Sequence, residues 1–264
     1  MSAFASLRPR SVTVTRLRAA GCVFAEDEAR LLIAAARTPA ELAAMVDRRA
    51  AGHPLEHVLG WAEFCGLRIA VEPGVFVPRR RTEFLVRQAA ALARPRDVVV
   101  DLCCGSGAVG AALVAALDRV ELYAVDINPI AVGCARRNIA ADGEVYEGDL
   151  YEPLPATLRG RVDVLVANAP YVPSDAIRLL PPEARIHEPR VALDGGADGL
   201  DVLLRVIGAA SAWLAPGGHL LVETSERQAP QLVEAAACNG LIPRVATSDE
   251  LNATVLIATS PSVL

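Results

Sequence analysis

The chain has no lysine: all 26 of its basic residues are arginine. Chemistry built on a lysine amine is therefore excluded, including the phosphate-binding lysine of a P-loop, Schiff bases and Ser–Lys dyads. Cysteine is sparse and badly spaced for a metal. Cys22, Cys65, Cys103, Cys104, Cys134 and Cys238 form no CxxC pair and no histidine stands at zinc-finger spacing, so no metal site is expected. Cys103 and Cys104 are neighbours, a poor geometry for a disulfide, and reduced thiols fit a cytoplasmic protein. No apolar run reaches the length of a membrane span, and residues 1–18 carry scattered arginines with no long apolar stretch. Neither a membrane association nor a secretory signal is expected. The net charge is −5, the wrong sign for a protein that holds nucleic acid by bulk electrostatics, which argues against direct nucleic-acid binding.

What the chain does contain is apolar material. Hydrophobic residues make up 53% and charged residues 22% of 264 positions, enough for a sizeable core and incompatible with disorder. The length suits one large domain or one with a small addition.

The first sixty residues read as helical. Residues 24–36 are rich in Ala and Leu, with their acids early. Thr38-Pro39-Ala40-Glu41 then supplies an N-cap, a proline at the first helical position and a capping-box glutamate. Gly52-His53-Pro54 ends that helix. Residues 64–77 favour strand around a Pro73-Gly74 turn, which predicts a hairpin. Thr82 reads as the cap of a helix reaching about Ala93. From Asp97 onward short apolar runs alternate with helical stretches: residues 98–100, 122–125, 162–166 and 219–222 are candidate strands. This alternation predicts a mostly parallel sheet covered on both faces. Residues 241–246 and 253–258 are too close for a crossover helix and should pair antiparallel. A parallel sheet with one antiparallel strand near its end resembles the Rossmann-like architecture of class I methyltransferases, an analogy at the level of fold alone.

The run Asp101-Leu-Cys-Cys-Gly105-Ser-Gly107-Ala-Val-Gly110 follows a strand and opens a helix. Its glycines let backbone approach a ligand, and helix N-terminal amides can bond it. Asp126 ends the next strand about twenty residues on, where a carboxylate can accept from ribose hydroxyls. That pattern fits both nicotinamide-dinucleotide and S-adenosylmethionine enzymes. Asp101, four residues before Gly105, favours the second, because dinucleotide enzymes generally place an apolar residue there. Asp149, in a turn after a short strand, is a candidate adenine contact. Cys104 beside the glycines is either a buried packing residue or a thiol activated by a helix N-terminus. Gly195, Gly196 and Gly199 suggest a mobile loop or simple turns. His53, His57, His187 and His219 are scattered and suggest neither a metal site nor a general base.

Asn168-Ala169-Pro170-Tyr171 ends the fourth strand, at the carboxyl edge where open α/β sheets bind ligands. The Asn168 amide oxygen and the Ala169 carbonyl could accept both hydrogens of a substrate NH2 group. Tyr171 could pack against its plane, so that orientation supplies most of the catalysis.

Asn-Ala-Pro-Tyr is similar to the Asn-Pro-Pro-Tyr signature of amino-group methyltransferases, which act on glutamine amides and on nucleic-acid bases. Residues 52–60, Glu63-Phe-Cys-Gly-Leu67, Val77-Pro-Arg-Arg-Arg-Thr-Glu83, 148–154 and 188–196, with Glu223 and Gln228, resemble the protein-glutamine N5-methyltransferase family over about residues 14–258. The resemblance implies a small helical N-terminal domain for substrate recognition (residues 1–60), a β-hairpin linker (61–80) and an S-adenosylmethionine-dependent methyltransferase domain (81–264). It implies cofactor contacts from Asp101, Cys103, Gly105, Gly107, Asp126, Ile127, Asp149, Leu150 and Asn168. It places the reaction at Asn168, Ala169, Pro170 and Tyr171, with Arg79 and Glu83 near the substrate. The implied partner is a protein with an exposed glutamine, of the release-factor or ribosomal-protein class. The competing readings are a base amino-methyltransferase acting on adenine N6 or guanine N2, a non-catalytic relative that binds the translation machinery, and a dehydrogenase. Three positions depart from the family pattern. Cys103 replaces a glycine, Ala169 replaces the first proline, and Arg80-Arg81 replaces a proline and an acid.

Overall fold

The computed structural model describes residues 3–262. Four helices come first: α1 (Ala3–Ala19), α2 (Ala25–Ala35), α3 (Pro39–Ala50) and α4 (Leu55–Leu59). They close on a small core of Leu17, Ala29, Leu32, Val46 and Val58. The start of α3 follows the capping expectation, with the Thr38 hydroxyl accepting from the Glu41 N–H at 3.1 Å. The Glu41 carboxylate departs from the reciprocal box and takes the Arg37 N–H instead, at 2.8 Å.

The hairpin forms one turn earlier than the sequence suggests. β1 (Trp61–Phe64) and β2 (Leu67–Ala70) pair antiparallel around Cys65-Gly66. Both turn residues have positive φ, 50° and 75°, the backbone of a two-residue hairpin turn. Cysteine carries no turn signal at such a position, whereas Pro73-Gly74 carries a strong one. That pair makes a separate bend, closed by the Val75 N–H to the Glu72 carbonyl at 3.1 Å.

After α5 (Glu83–Leu92) the chain builds the main sheet from β3 (Val98–Leu102), β4 (Glu121–Asp126), β5 (Gly143–Glu147), β6 (Val162–Ala167), β7 (Leu214–Thr224), β8 (Ile242–Ser248) and β9 (Ala253–Thr259). The order across the sheet is β5-β4-β3-β6-β7-β9-β8, and only β9 runs against its neighbours. The helices of this half are α6 (Ala108–Ala116), α7 (Pro129–Ile139), α8 (Pro182–His187), α9 (Asp201–Ala210) and α10 (Ala229–Cys238). One face of the sheet packs on α5, α6 and α7 through Val99, Val164, Leu85, Leu113 and Ile139. The other packs on α9 and α10 through Val100, Leu165, Leu203, Ile207 and Leu232. From β3 the chain steps outward to β4 and β5, then returns to lay β6 on the other side of β3. The carboxyl ends of β3 and β6 therefore flank a topological switch point, where ligands bind in open α/β sheets.

A buried arginine ties the N-terminal helices to the rest. The Arg49 guanidinium, 8% exposed, meets both Glu28 oxygens, at 2.6 and 3.0 Å, and Glu183 of α8 at 2.7 Å. Removing one partner of a buried pair strands the other charge. Arg49→Ala is expected to destabilise the protein by about 3 kcal/mol in urea unfolding. Glu183 is 44% exposed on its side chain, so Glu183→Ala should cost under about 1 kcal/mol.

Candidate active site

The carboxyl edge of the sheet collects the polar residues. Asp101, at the end of β3, is 1% exposed and accepts from the Gly110 N–H at 2.9 Å. Burial drives its pKa up to about 7, against the pull of that hydrogen bond, and the nearby Asp126 charge adds to the rise. The following loop turns through three left-handed residues, Cys103 (φ 56°), Gly105 (φ 55°) and Gly107 (φ 77°). At Gly107 a Cβ would lie 3.0 Å from Ala135 of α7, so a glycine is required there for packing as well as for φ. Cys103 adopts this conformation with a side chain, at a cost of about 1 kcal/mol. Leu150 (φ 51°) is a second bulky left-handed residue on the same cavity. The Cys104 thiol is buried, and burial raises its pKa well above normal; it is a packing residue, not an activated nucleophile.

Asp126 ends β4. Its two oxygens accept from the Gly105 and Asn128 N–H groups, each at 2.8 Å. Each oxygen keeps a further acceptor site, so the carboxylate can still receive two hydroxyls. Asp149, after β5, is paired with Arg205 of α9 at 2.7 Å. Arg205 was not legible as a site residue, because it lies mid-helix and 56 residues away. Asp101, Asp126, Asp149, Cys103, Gly105, Ile127 and Leu150 line one cavity of about 240 Å³, which also takes in Asn168 and Pro170.

A second cavity, of about 440 Å³, is lined by Ala169 and Tyr171 with Arg79, Arg81 and Glu183. Asn168 lines both. Its Nδ2 donates to the Thr82 hydroxyl at 3.3 Å. Thr82 precedes α5 as expected but makes no capping bond to it. The Tyr171 hydroxyl donates to Glu223 Oε1 at 3.2 Å, and the Arg81 Nε donates to the same oxygen at 3.1 Å. The Arg81 guanidinium also lies 5.6 Å from the Tyr171 ring centroid. Burial and the Glu223 charge raise the Tyr171 pKa, so the phenol keeps its proton.

The reactive loop is held from behind. The Gln228 Nε2 donates to the Tyr171 and Asp198 carbonyls, at 3.0 and 3.1 Å. A Cβ on Gly199 would fall 2.3 Å from the Tyr171 carbonyl oxygen, and one on Gly195 would fall 2.7 Å from that of Pro170. These glycines thus serve close backbone packing rather than a flap. Arg79 lines the second cavity while its guanidinium bonds both oxygens of buried Glu188 at 2.7 Å. Glu83 lines neither cavity; its carboxylate accepts the Cys65 N–H at 3.2 Å and anchors the hairpin turn to α5. The histidines are less scattered than their numbers suggest: the His53 and His187 rings meet at 4.2 Å, joining the N-terminal helices to α8. Among the described residues no group of three or more His, Cys, Asp or Glu is arranged to hold a metal.

The Methyltransferase small domain family matches residues 66–196. A release factor glutamine methyltransferase of Geobacter sulfurreducens is 42% identical over 72% of this chain and 68% of its own length. One from Mycolicibacterium smegmatis is 39% identical over 85% of this chain and 82% of its own. The chain belongs to the release factor glutamine methyltransferase family. The fold agrees: a methyltransferase from Pyrococcus furiosus superposes with a TM-score of 0.57 over 75% of this chain and 90% of that one, at 16% identity. No helix among the described residues is long and apolar enough to cross a membrane.

A family member of this kind is S-adenosylmethionine-dependent, and the first cavity fits that cofactor. It offers a buried acid for a cationic end, a carboxylate with two spare acceptor sites for a diol, and apolar walls from Val125, Ile127 and Leu150 for an aromatic base.

The raised pKa of Asp101 has a consequence for stability. Its unperturbed value is 3.8 and its folded value about 7, so between these limits the folded state holds a proton that the unfolded chain releases. Stability therefore falls as pH rises through that window. Asp101→Asn is expected to flatten the slope of unfolding free energy between about pH 4 and 7, by up to ~1.4 kcal/mol per pH unit. It should also make the cofactor-free protein more stable than wild type at pH 8. Urea unfolding across that range checks both, and an unchanged slope would show that Asp101 stays ionised.

Proposed function

We infer that the chain transfers a methyl group from S-adenosylmethionine to the side-chain amide nitrogen of a glutamine in a peptide chain release factor. The observation that carries this reading is Asn168 at the junction of two cavities, one lined by Asp101, Asp126, Asp149 and Asp194 and the other opening past Tyr171. The names of the similar proteins supply the substrate class.

Asp101, Asp126 and Asp149 would hold the cofactor, which when bound supplies an electrophilic methyl group. The chain's own part is orientation. An amide nitrogen is a poor nucleophile because its lone pair is delocalised. The Asn168 Oδ1 and the Ala169 carbonyl accept its two hydrogens and fix its direction. Tyr171 packs on the amide plane, kept neutral by burial and by the Glu223 charge and held in place by its bond to Glu223. The arginines and acid around the second cavity are each paired, Arg79 with Glu188, Arg81 with Glu223 and Glu183 with Arg49. A wall whose charges are already matched suits an uncharged amide better than a carboxylate or phosphate. Residues 1–60 would act as the recognition part, since Arg49 links them to α8 on the rim of this cavity.

The test uses labelled S-adenosylmethionine, the purified protein, and both a purified release factor and a lysate from cells lacking this chain. The expected label is protease-sensitive and sits on a glutamine by mass spectrometry. Nuclease-sensitive label would make the chain a base methyltransferase and overturn the reading. Asn168→Ala should lower transfer by more than about 100-fold, because misorientation alone reaches that size. Cofactor affinity, measured by calorimetry, should stay within about threefold, since the cofactor's main contacts lie elsewhere.

A further inference from the structure

The carboxamide of Asn168 poses a problem that its backbone position does not solve. Its terminal torsion is broad and its two ends are nearly the same shape. Only the oxygen end can accept from a substrate NH2; with the NH2 end forward, donor would face donor. Some neighbour must hold the nitrogen end on the protein side.

That neighbour is Thr82. Its residue is 2% exposed, and its hydroxyl accepts from Asn168 Nδ2 at 3.3 Å. A threonine before a helix normally spends its oxygen on the helix N-terminus, but this one does not. Its placement is fixed by the backbone, through the Thr82 N–H to the Arg79 carbonyl at 2.9 Å, which closes the short turn of Arg80–Thr82. The same turn reaches the loop a second time, where Arg81 meets Glu223 and the ring of Tyr171. Two consecutive residues of this turn thus touch the machinery that holds Asn168 and Tyr171.

We propose that Thr82 is a positioning residue for methyl transfer: its hydroxyl, on the wall of the first cavity beside Asn168, sets the orientation of the Asn168 carboxamide toward the substrate nitrogen. The proposal rests on the role given to Asn168 above and acts through that residue alone.

Thr82→Val keeps the shape and removes the hydroxyl; Thr82→Ser keeps the hydroxyl. On a release factor substrate, Thr82→Val is expected to lower kcat about five- to tenfold, the size of one lost neutral hydrogen bond. KM and cofactor Kd should stay within about twofold, and Thr82→Ser should recover kcat to within about twofold of wild type. A readout independent of turnover is the side-chain NH2 resonance of Asn168 in 15N-labelled protein, assigned by its loss in Asn168→Ala. It should move in Thr82→Val and stay in Thr82→Ser. If Thr82→Val is too unstable to assay, Thr82→Ala takes its place with the same expectations. An Asn168 resonance indifferent to loss of the hydroxyl overturns the proposal. So does a cofactor Kd that weakens in step with kcat, which would make Thr82 a cofactor contact. Failure of the functional reading looks different: wild type itself would transfer nothing to the release factor, while the resonance would still report on Thr82.

Discussion

A parallel sheet buried on both faces can place polar groups in only one productive location, the ends of its strands. β3 is buried at every position, and most of β6 is too. Their interiors admit little but Val and Leu, and the chemistry collects where they stop. Asp101 ends β3, Asp126 ends β4, Asn168 follows β6, and Glu223 lies near the end of β7, one residue beyond the Ala167–Val222 pairing. Parallel pairing brings all these ends to one edge, and the switch point between β3 and β6 opens a crevice there. Burial then sets the electrostatics: it raises the pKa of both Asp101 and Asp126, and the amide donors that each accepts from oppose that rise.

That edge was largely legible in the sequence, since strand ends and glycine turns are local signals. The parallel strands, the antiparallel last pair, the loop after Asp101 and the acid at Asp126 could all be read from short windows. Contacts between distant segments could not. Nothing near Asp149 points to Arg205, nothing near Tyr171 points to Arg81, and His53 and His187 meet across 134 residues of chain. Thr82 shows why local rules mislead at such places. Its sequence context favours a cap, and the cap bond loses to a partner 86 residues away. Cys65 hides its turn in another way: a left-handed cysteine carries no sequence signal, and Pro73-Gly74 downstream carries a strong one.

The all-arginine composition bears on how these distant contacts work. A guanidinium can meet both oxygens of a carboxylate in one plane, which an ammonium cannot. Arg49 does so with Glu28 through Nε and Nη2, whereas in Arg79 the single Nη2 reaches both oxygens of Glu188. In both cases the acid is nearly inaccessible. The pairs settle the cost of buried charge locally. They also fasten three parts of the chain to one rim: the N-terminal helices through Arg49, the segment after the hairpin through Arg79, and α8 with its flanks through Glu183 and Glu188.

Ala169 stands where the family pattern has a proline, and a proline there would be expected to stiffen the loop. The structure supplies the stiffness by other means. Pro170 already restricts the residue before it to extended backbone, so Ala169 has little freedom to lose. The Ala169 side chain is 1% exposed and lies in the core with Leu200 and Val222. Beyond it, the Tyr171 carbonyl is held by Gln228, and Val172 exchanges backbone bonds with Leu193 and Gly195 at 3.0 and 2.9 Å. With the loop pinned on both sides of Asn168, its backbone direction is settled and the carboxamide torsion is the main freedom left. A substitution at Ala169 therefore matters less to orientation than the identity of the group that meets Asn168 Nδ2.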